Sequence, residues 1–249
     1  MPAADWGACL VLRLQPLGDA NVIVALLTEQ SGRRDVLARG AKTSRHRFAG
    51  LLQPFAELTV FAQHSRGSLD TLAEVQPIKQ WRNEGVTYAQ LALASYATEL
   101  AIVASQPDHA DLPLYHWLQA ALSLASAVGD EQLRAARVLL EVSFLQALGL
   151  FPDVQQCAQC GRTNAAGAVW PQAAHGLICL ECAGASGPRL PAAWLLVLAV
   201  LTQSPPTLDL IDALPPQMFR IIEDHLASLL TEVVHQPLRS AKALKALID

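Results

Sequence analysis

Charge is scarce in this chain. Only 16% of its 249 residues are Asp, Glu, Lys or Arg, 6% are aromatic, and methionine occurs twice. With 52% hydrophobic residues against so few charges, the chain has apolar surface enough for a sizeable core, which excludes a polar disordered polymer as its main state. Long apolar runs are also missing. The longest, LPAAWLLVLAVL at 190–201, contains Pro191 and falls well short of the ~20 residues needed to span a bilayer. The first residues, MPAADWGACLVLRLQPLG, put Asp5 and no early basic residue ahead of the apolar stretch, so no secretory signal is read there. A cytoplasmic chain with no membrane partner is expected.

Catalytic signatures are absent too. There is no G-x-x-x-x-G-K-[ST] phosphate loop, no G-x-S-x-G elbow and no H-E-x-x-H pair. The histidines are scattered at 46, 64, 109, 116, 175, 225 and 235, with Pro113 between the nearest two, so a shared site is not expected. The expectation is that the chain is not an enzyme.

What is present is an uneven charge. The net charge is -4, yet residues 1–82 hold ten basic and seven acidic residues, and residues 83–249 hold eight and fifteen. Within ARGAKTSRHRFAGLLQPF, at 38–55, Arg39, Lys42, Arg45 and Arg47 gather with His46 and no acid. Such an asymmetry suggests that the first part meets a polyanion, against the commoner use of Lys and Arg as solvated surface.

The first eighty residues read as strands. ACLVLRL (8–14) alternates, with Leu10, Leu12 and Leu14 expected on one face and Cys9, Val11 and Arg13 on the other. NVIVALLT (21–28), RDVLARG (34–40), AELTVFAQ (56–63) and SLDTLAEVQ (68–76) follow, separated by turn chemistry such as GDAN and HSRG. Five short antiparallel strands suggest a small barrel; the five-stranded OB-fold has that count, and other small barrels share it.

Near 77–85 the apolar period changes from 2 to 3.6. Helices are expected over 84–105, 112–128 (Asp111 as cap, Pro113 in the first turn), 130–149, 190–203, 215–235 and 238–247. The fold class is therefore α+β with two domains: a barrel over 1–80, then a helical domain over 81–249 that carries a cysteine-bearing insert at about 150–188.

CAQC (157–160) and CLEC (179–182) are two C-x2-C pairs with a separation that suits a four-cysteine zinc site. Each pair lets one tight turn aim two thiolates at one ion, with zinc–sulfur bonds of about 2.3 Å. Cys157, Cys160, Cys179 and Cys182 are the expected ligands, one structural zinc per chain, with no position left open for water. A disulfide pair is the alternative in an oxidising compartment, a redox C-x-x-C normally accompanies a βαβ unit, and His175 is a lesser ligand candidate. Cys9, in the first strand, reads as a small buried hydrophobe.

GACLVLRLQPLGDANVIVALLTEQSGRRDVLARGAKTSRHRFAGLLQPF, LQALGLFPDVQQCAQCGR, GLICLECA and HQPLRSAKALKAL together resemble the RecO family of bacterial recombination mediators, and the likeness spans nearly the whole chain. The resemblance implies an OB-fold, a helical domain and a zinc module. It also implies binding of single- and double-stranded DNA, annealing of complementary strands, partnership with RecR, contact with the C-terminal tail of the single-strand-binding protein, and help in loading RecA. The chain departs from similar members in being less basic.

On this reading, Arg39, Lys42, Arg45 and Arg47 form a loop that tracks phosphates without reading sequence, and Arg33 and Arg34 extend the track. OB-folds add aromatic platforms for bases; among Trp6, Phe48, Phe55 and Phe61, Phe48 is the candidate stacker and the others suit the core. A zinc-stabilised adaptor that binds only protein, and a metal-dependent nuclease, are the rival readings.

Overall fold

The computed structural model describes residues 3–43, 48, 50–65, 67–81, 85–171, 176–184, 189–203, 205–211 and 215–248. Its first unit is a closed five-stranded barrel. Strands β1 (Ala4–Leu17), β2 (Asn21–Thr28), β3 (Gly32–Ala38), β4 (Glu57–Gln63) and β5 (Asp70–Lys79) are ordered β1-β2-β3-β5-β4. All neighbours are antiparallel except β3 and β5, which pair in parallel through Val36–Asp70 and Leu37–Thr71 and so close the barrel. This is the strand order of an OB-type barrel.

Alternation along the strands supplies two cores. Cys9, Val11, Val24, Leu26, Val36, Leu58, Val60 and Leu72 point inward and fill the barrel. Leu10, Leu12, Ala25 and Leu27 point the other way and join the core of the helical domain. The expected shared face of Leu10, Leu12 and Leu14 therefore needs correcting. The pairing of β1 with β2 slips between Val11 and Arg13, a bulge that leaves Leu12 as the extra residue. One extra residue inverts the parity, so Leu14 packs with the barrel core instead.

Seven helices and a small three-stranded sheet follow among the described residues. Helix α1 (Tyr88–Ala104) opens with a capping box: Gln90 N donates to Thr87 Oγ1 at 3.2 Å, and Thr87 N to Gln90 Oε1 at 3.1 Å. Helix α2 (Leu112–Ala127) is capped by Asp111, which accepts from Leu114 N at 2.9 Å, and Pro113 sits in its first turn. Where one helix is expected from 130, a 3-10 turn over Asp130–Gln132 precedes α3 (Leu133–Ala147). Helix α3 is buried almost all round, through Val138, Leu139, Leu140, Val142, Phe144 and Leu145, and forms the spine of the bundle. Gly149, at φ 69°, ends it in the left-handed conformation that glycine adopts without strain.

Strands β6 (Ala168–Val169), β7 (Ile178–Cys179) and β8 (Arg189–Leu190) form a small sheet, with the one-turn helix α4 (Leu180–Ala183) after β7. Helices α5 (Ala192–Gln203), α6 (Pro216–Val233) and α7 (Arg239–Ile248) complete the bundle. The cysteine-bearing module is anchored by Trp170. Its ring is buried against Phe151 and stacks on His225 of α6 with centroids 4.6 Å apart. No described helix is long and apolar enough to cross a membrane.

Candidate metal centre and nucleic-acid interface

Two tight turns bring the four cysteines together. In the first, Gly161 N donates to Cys157 O at 2.9 Å, and Gly161 takes φ 70°, which its missing Cβ permits. The second approaches so closely that a Cβ on Gly176 would lie 2.8 Å from the Ala158 methyl, and Ala158 N bonds Leu177 O at 2.8 Å. The sulfurs of Cys157, Cys160, Cys179 and Cys182 consequently lie within 4.8 Å of one another. A zinc tetrahedron with bonds of about 2.3 Å separates its sulfurs by about 3.8 Å; Cys160 Sγ and Cys179 Sγ are 3.9 Å apart.

The local electrostatics suit a cation. The Cys179 N–H, 3.3 Å from the Cys157 sulfur, is the largest influence holding the Cys157 thiol down to about 6. The Arg162 backbone N–H and then its side chain lower Cys160, while hydrogen bonds with Cys179 and Cys160 push Cys182 up to about 12. Four sulfurs this close must share protons, and a soft divalent cation is what replaces them. The cluster is a potential four-thiolate metal site; His175 lies outside the described residues. Cys9 is fully buried in the barrel, where desolvation raises its thiol to about 12.

The barrel end with the basic loop is built differently. Gly40 N donates to Asn21 Oδ1 at 3.0 Å and Lys42 N to Ala20 O at 3.0 Å, so the start of the loop is pinned to the β1–β2 turn. Arg39 and Lys42 are exposed there, with Lys42 Nζ 2.8 Å from Gly18 O. Arg45 and Arg47 lie outside the described residues.

The remaining expected DNA contacts each have partners within the protein. Phe48 is only 4% exposed and plugs the barrel core beside Leu51 and Leu52, so it is not an open stacking platform. An apolar ring gains more from closing the open end of a small barrel than from water contact. Arg33 is half-buried: its Nη1 donates to Ile102 O at 2.9 Å, and its backbone exchanges bonds with Gln106 and Asp108. It ties β3 to the carbonyl end of α1, where a cation is favoured by the helix dipole. Arg34 is held between Asp70, at 3.5 Å, and Asp108, at 3.2 Å, with its guanidinium 4.3 Å from the Trp6 ring centre.

The carboxyl of Glu57, which the sequence pattern does not single out, is buried between barrel and bundle, and its Oε1 accepts from Tyr115 Oη at 3.0 Å and Gln119 Nε2 at 2.6 Å. The signal was an acid at the head of an otherwise apolar strand, but its partners lie far along the chain.

The N-terminal part, residues 6–81, matches the model described as "Recombination protein O N terminal", and residues 86–242 match "Recombination protein O C terminal". The chain is 32% identical over 238 residues to the DNA repair protein RecO of Anaeromyxobacter sp. (strain Fw109-5), covering 89% of this chain and 88% of that one. It is 34% identical over 199 residues to the protein of the same name from Anaeromyxobacter sp. (strain K), with 77% and 76% covered. A counterpart in Bacillus pumilus (strain SAFR-032) is 33% identical over 153 residues, covering 61% and 59%. A closed five-stranded barrel, a helical domain and a four-cysteine module along one chain, matched by both halves of one family, make this chain a member of the RecO family of DNA repair proteins.

Proposed function

We propose that this chain is a non-enzymatic mediator of DNA repair that binds single- and double-stranded DNA through the loop following β3. The observation that carries the reading is the exposed pair Arg39 and Lys42 at the pinned start of a basic loop on an OB-type barrel. Their charges neutralise phosphates whatever the base sequence, so two complementary strands can be held close while their bases choose each other. Annealing follows from reduced repulsion and needs no bond to be broken. The same reading includes work alongside RecR, contact with the tail of the single-strand-binding protein and help in loading RecA, and family membership is its support. A bacterial cytoplasm is the compartment in which such a protein meets DNA.

In the metal module, Cys157, Cys160, Cys179 and Cys182 would hold one zinc ion, which supplies folding energy to the loops around it and no chemistry at a substrate. The adaptor reading retains one supporting observation: Leu196 is 70% and Val200 51% exposed on α5, a face suited to a protein. A mobility shift with single-stranded DNA separates the two readings. Binding that weakens when the basic loop is neutralised supports the mediator, and no binding at low salt by folded protein leaves the adaptor.

A further inference from the structure

Between the barrel and the first two helices lies a cavity of about 400 Å³, lined by Phe55, Glu57, Lys79, Gln80, Trp81 and Gln119 among others. That size and that position, at the junction of two units, are those of a small-molecule site. Its apolar wall is specific. Phe55 meets Trp81 edge-on, with ring centres 5.1 Å apart. Phe55 holds this position with a φ of 68°, a left-handed conformation costly for a non-glycine residue, and a bond from its N–H to Val11 O at 2.9 Å helps keep it there.

The polar groups are equally specific. Both hydrogen bonds to Glu57, from Tyr115 and Gln119, fall on Oε1. Among the described residues Oε2 takes no hydrogen bond and no cation is within ion-pair distance of it. Its lone pairs are left to accept N–H groups. Gln80, which borders the same cavity, has a buried amide nitrogen with no hydrogen-bond partner, a donor that a carbonyl would satisfy. Lys79 is exposed at the mouth, its Nζ 2.9 Å from Ser123 Oγ.

We infer that this cavity binds a guanine nucleotide, with the base between the aromatic wall and Glu57 and the phosphate at Lys79. A flat ring suits the Phe55–Trp81 wall. Guanine presents two adjacent N–H donors to the free carboxyl oxygen and a carbonyl to Gln80, whereas adenine turns a ring-nitrogen acceptor toward the carboxyl. An organic cation would leave the Gln80 donor unpaired and would meet Lys79 as a like charge. The same chemistry could come from a free mononucleotide or from a guanine within a single strand.

The test is calorimetric titration of the full chain with guanosine 5′-monophosphate, guanosine and adenosine 5′-monophosphate. Guanosine monophosphate should bind saturably, and adenosine monophosphate about tenfold or more weaker. Glu57→Gln keeps an acceptor for Tyr115 and Gln119 and should weaken both guanine ligands about tenfold or more. Lys79→Met, at an exposed position, should weaken guanosine monophosphate and leave guanosine within about twofold. If Glu57→Gln fails to fold, the Lys79 contrast and the rejection of adenine decide the question.

Competition by a short thymidylate strand carrying one guanylate, and not by the same strand without it, would identify a base in DNA as the source. Competition by neither would identify the free nucleotide. Absence of saturable binding to folded wild type, equal binding of the two monophosphates, or equal binding by the folded Glu57 and Lys79 variants would each overturn the inference. Arg39→Ala with Lys42→Ala should leave guanosine monophosphate binding unchanged, so failure here and failure of the DNA loop are distinguishable.

Discussion

The guanidinium of Arg33 donates to the carbonyl oxygen of Ile102 across 2.9 Å, so a barrel strand supplies the cation that the last turn of α1 lacks in its own sequence. The neighbouring backbone follows suit: Arg33 N bonds Gln106 O, and Asp108 N bonds Arg33 O. Gly32 makes the approach possible, since a Cβ there would lie 1.9 Å from His109 O. Barrel and helices are thus stitched at one edge.

Arg33→Met should therefore act on stability. Loss of a charged hydrogen bond at a helix end costs about 1–3 kcal/mol. Denaturant melts should show that loss, and single-stranded DNA affinity of the folded variant should stay at the wild-type value. A fall in affinity with unchanged stability would return Arg33 to the DNA surface.

Phe48→Ala should behave in the same sense and more strongly. Truncating a buried Phe costs about 3–5 kcal/mol, because the barrel end is left with a cavity. Thermal melts should register the change. A folded variant that melts like wild type but binds DNA less well would show that the ring stacks on a base after all.

These two residues mark where the sequence was legible and where it was not. Strand and helix positions follow from local period, which is why β2 is found at 21–28 as expected and Asp111 caps α2. The four-cysteine cluster was legible because each C-x2-C pair is local and only the two pairs have to meet. The fate of an arginine in RR, or of a phenylalanine after a basic loop, depends on partners far along the chain. Arg33 finds Ile102, Phe48 finds the barrel interior, and Glu57 finds Tyr115 and Gln119. The bulge between Val11 and Arg13 was hidden for the same reason, since unbroken alternation in one strand says nothing about its register with the next.

The closing helix α7 is docked through Glu99, whose carboxylate accepts from the Ser240 hydroxyl and from the N–H groups of Ser240, at 2.8 Å, and Arg239, at 3.0 Å. Burial by itself would raise this carboxyl; the bonds from Ser240 and Arg239 together outweigh it and hold the group below its ordinary 4.5. A depressed acid stabilises the fold above its unfolded value and loses that contribution as pH falls through the folded one. Protease cutting near 236–249 should therefore increase as pH drops below about 4.5, and Glu99→Gln should remove the pH dependence. Identical cutting profiles for wild type and variant across that range would rule the dock out.

Metal removal should be local. Purified under reducing conditions, the chain should carry about one zinc, and a chelator should raise hydrogen exchange around Cys157–Cys182 while the barrel strands stay protected. The Trp170–His225 stack is the route by which loosening would reach α6, so exchange near His225 should rise next. Elemental analysis without zinc, or a chelator that melts barrel and module together, would contradict a local structural ion.

The basic loop is tested by salt. If Arg39, Lys42, Arg45 and Arg47 each neutralise one phosphate of a single strand, each contributes about 0.7 to the slope of log affinity against log salt, so the four together contribute about 3. Changing all four to Ala should flatten the slope by that amount and weaken binding equally for strands of different sequence, because phosphate contacts carry no base information. Exposed loop substitutions usually stay within about 0.5 kcal/mol, so the melting curve should barely move. Lys42 bonds Gly18 O in the free protein, and exchanging that contact for a phosphate lowers its share of the affinity but not of the slope, which counts charges neutralised. A fourfold variant that keeps both its affinity and its slope while remaining folded would remove this loop from the DNA path and leave an ordinary solvated turn.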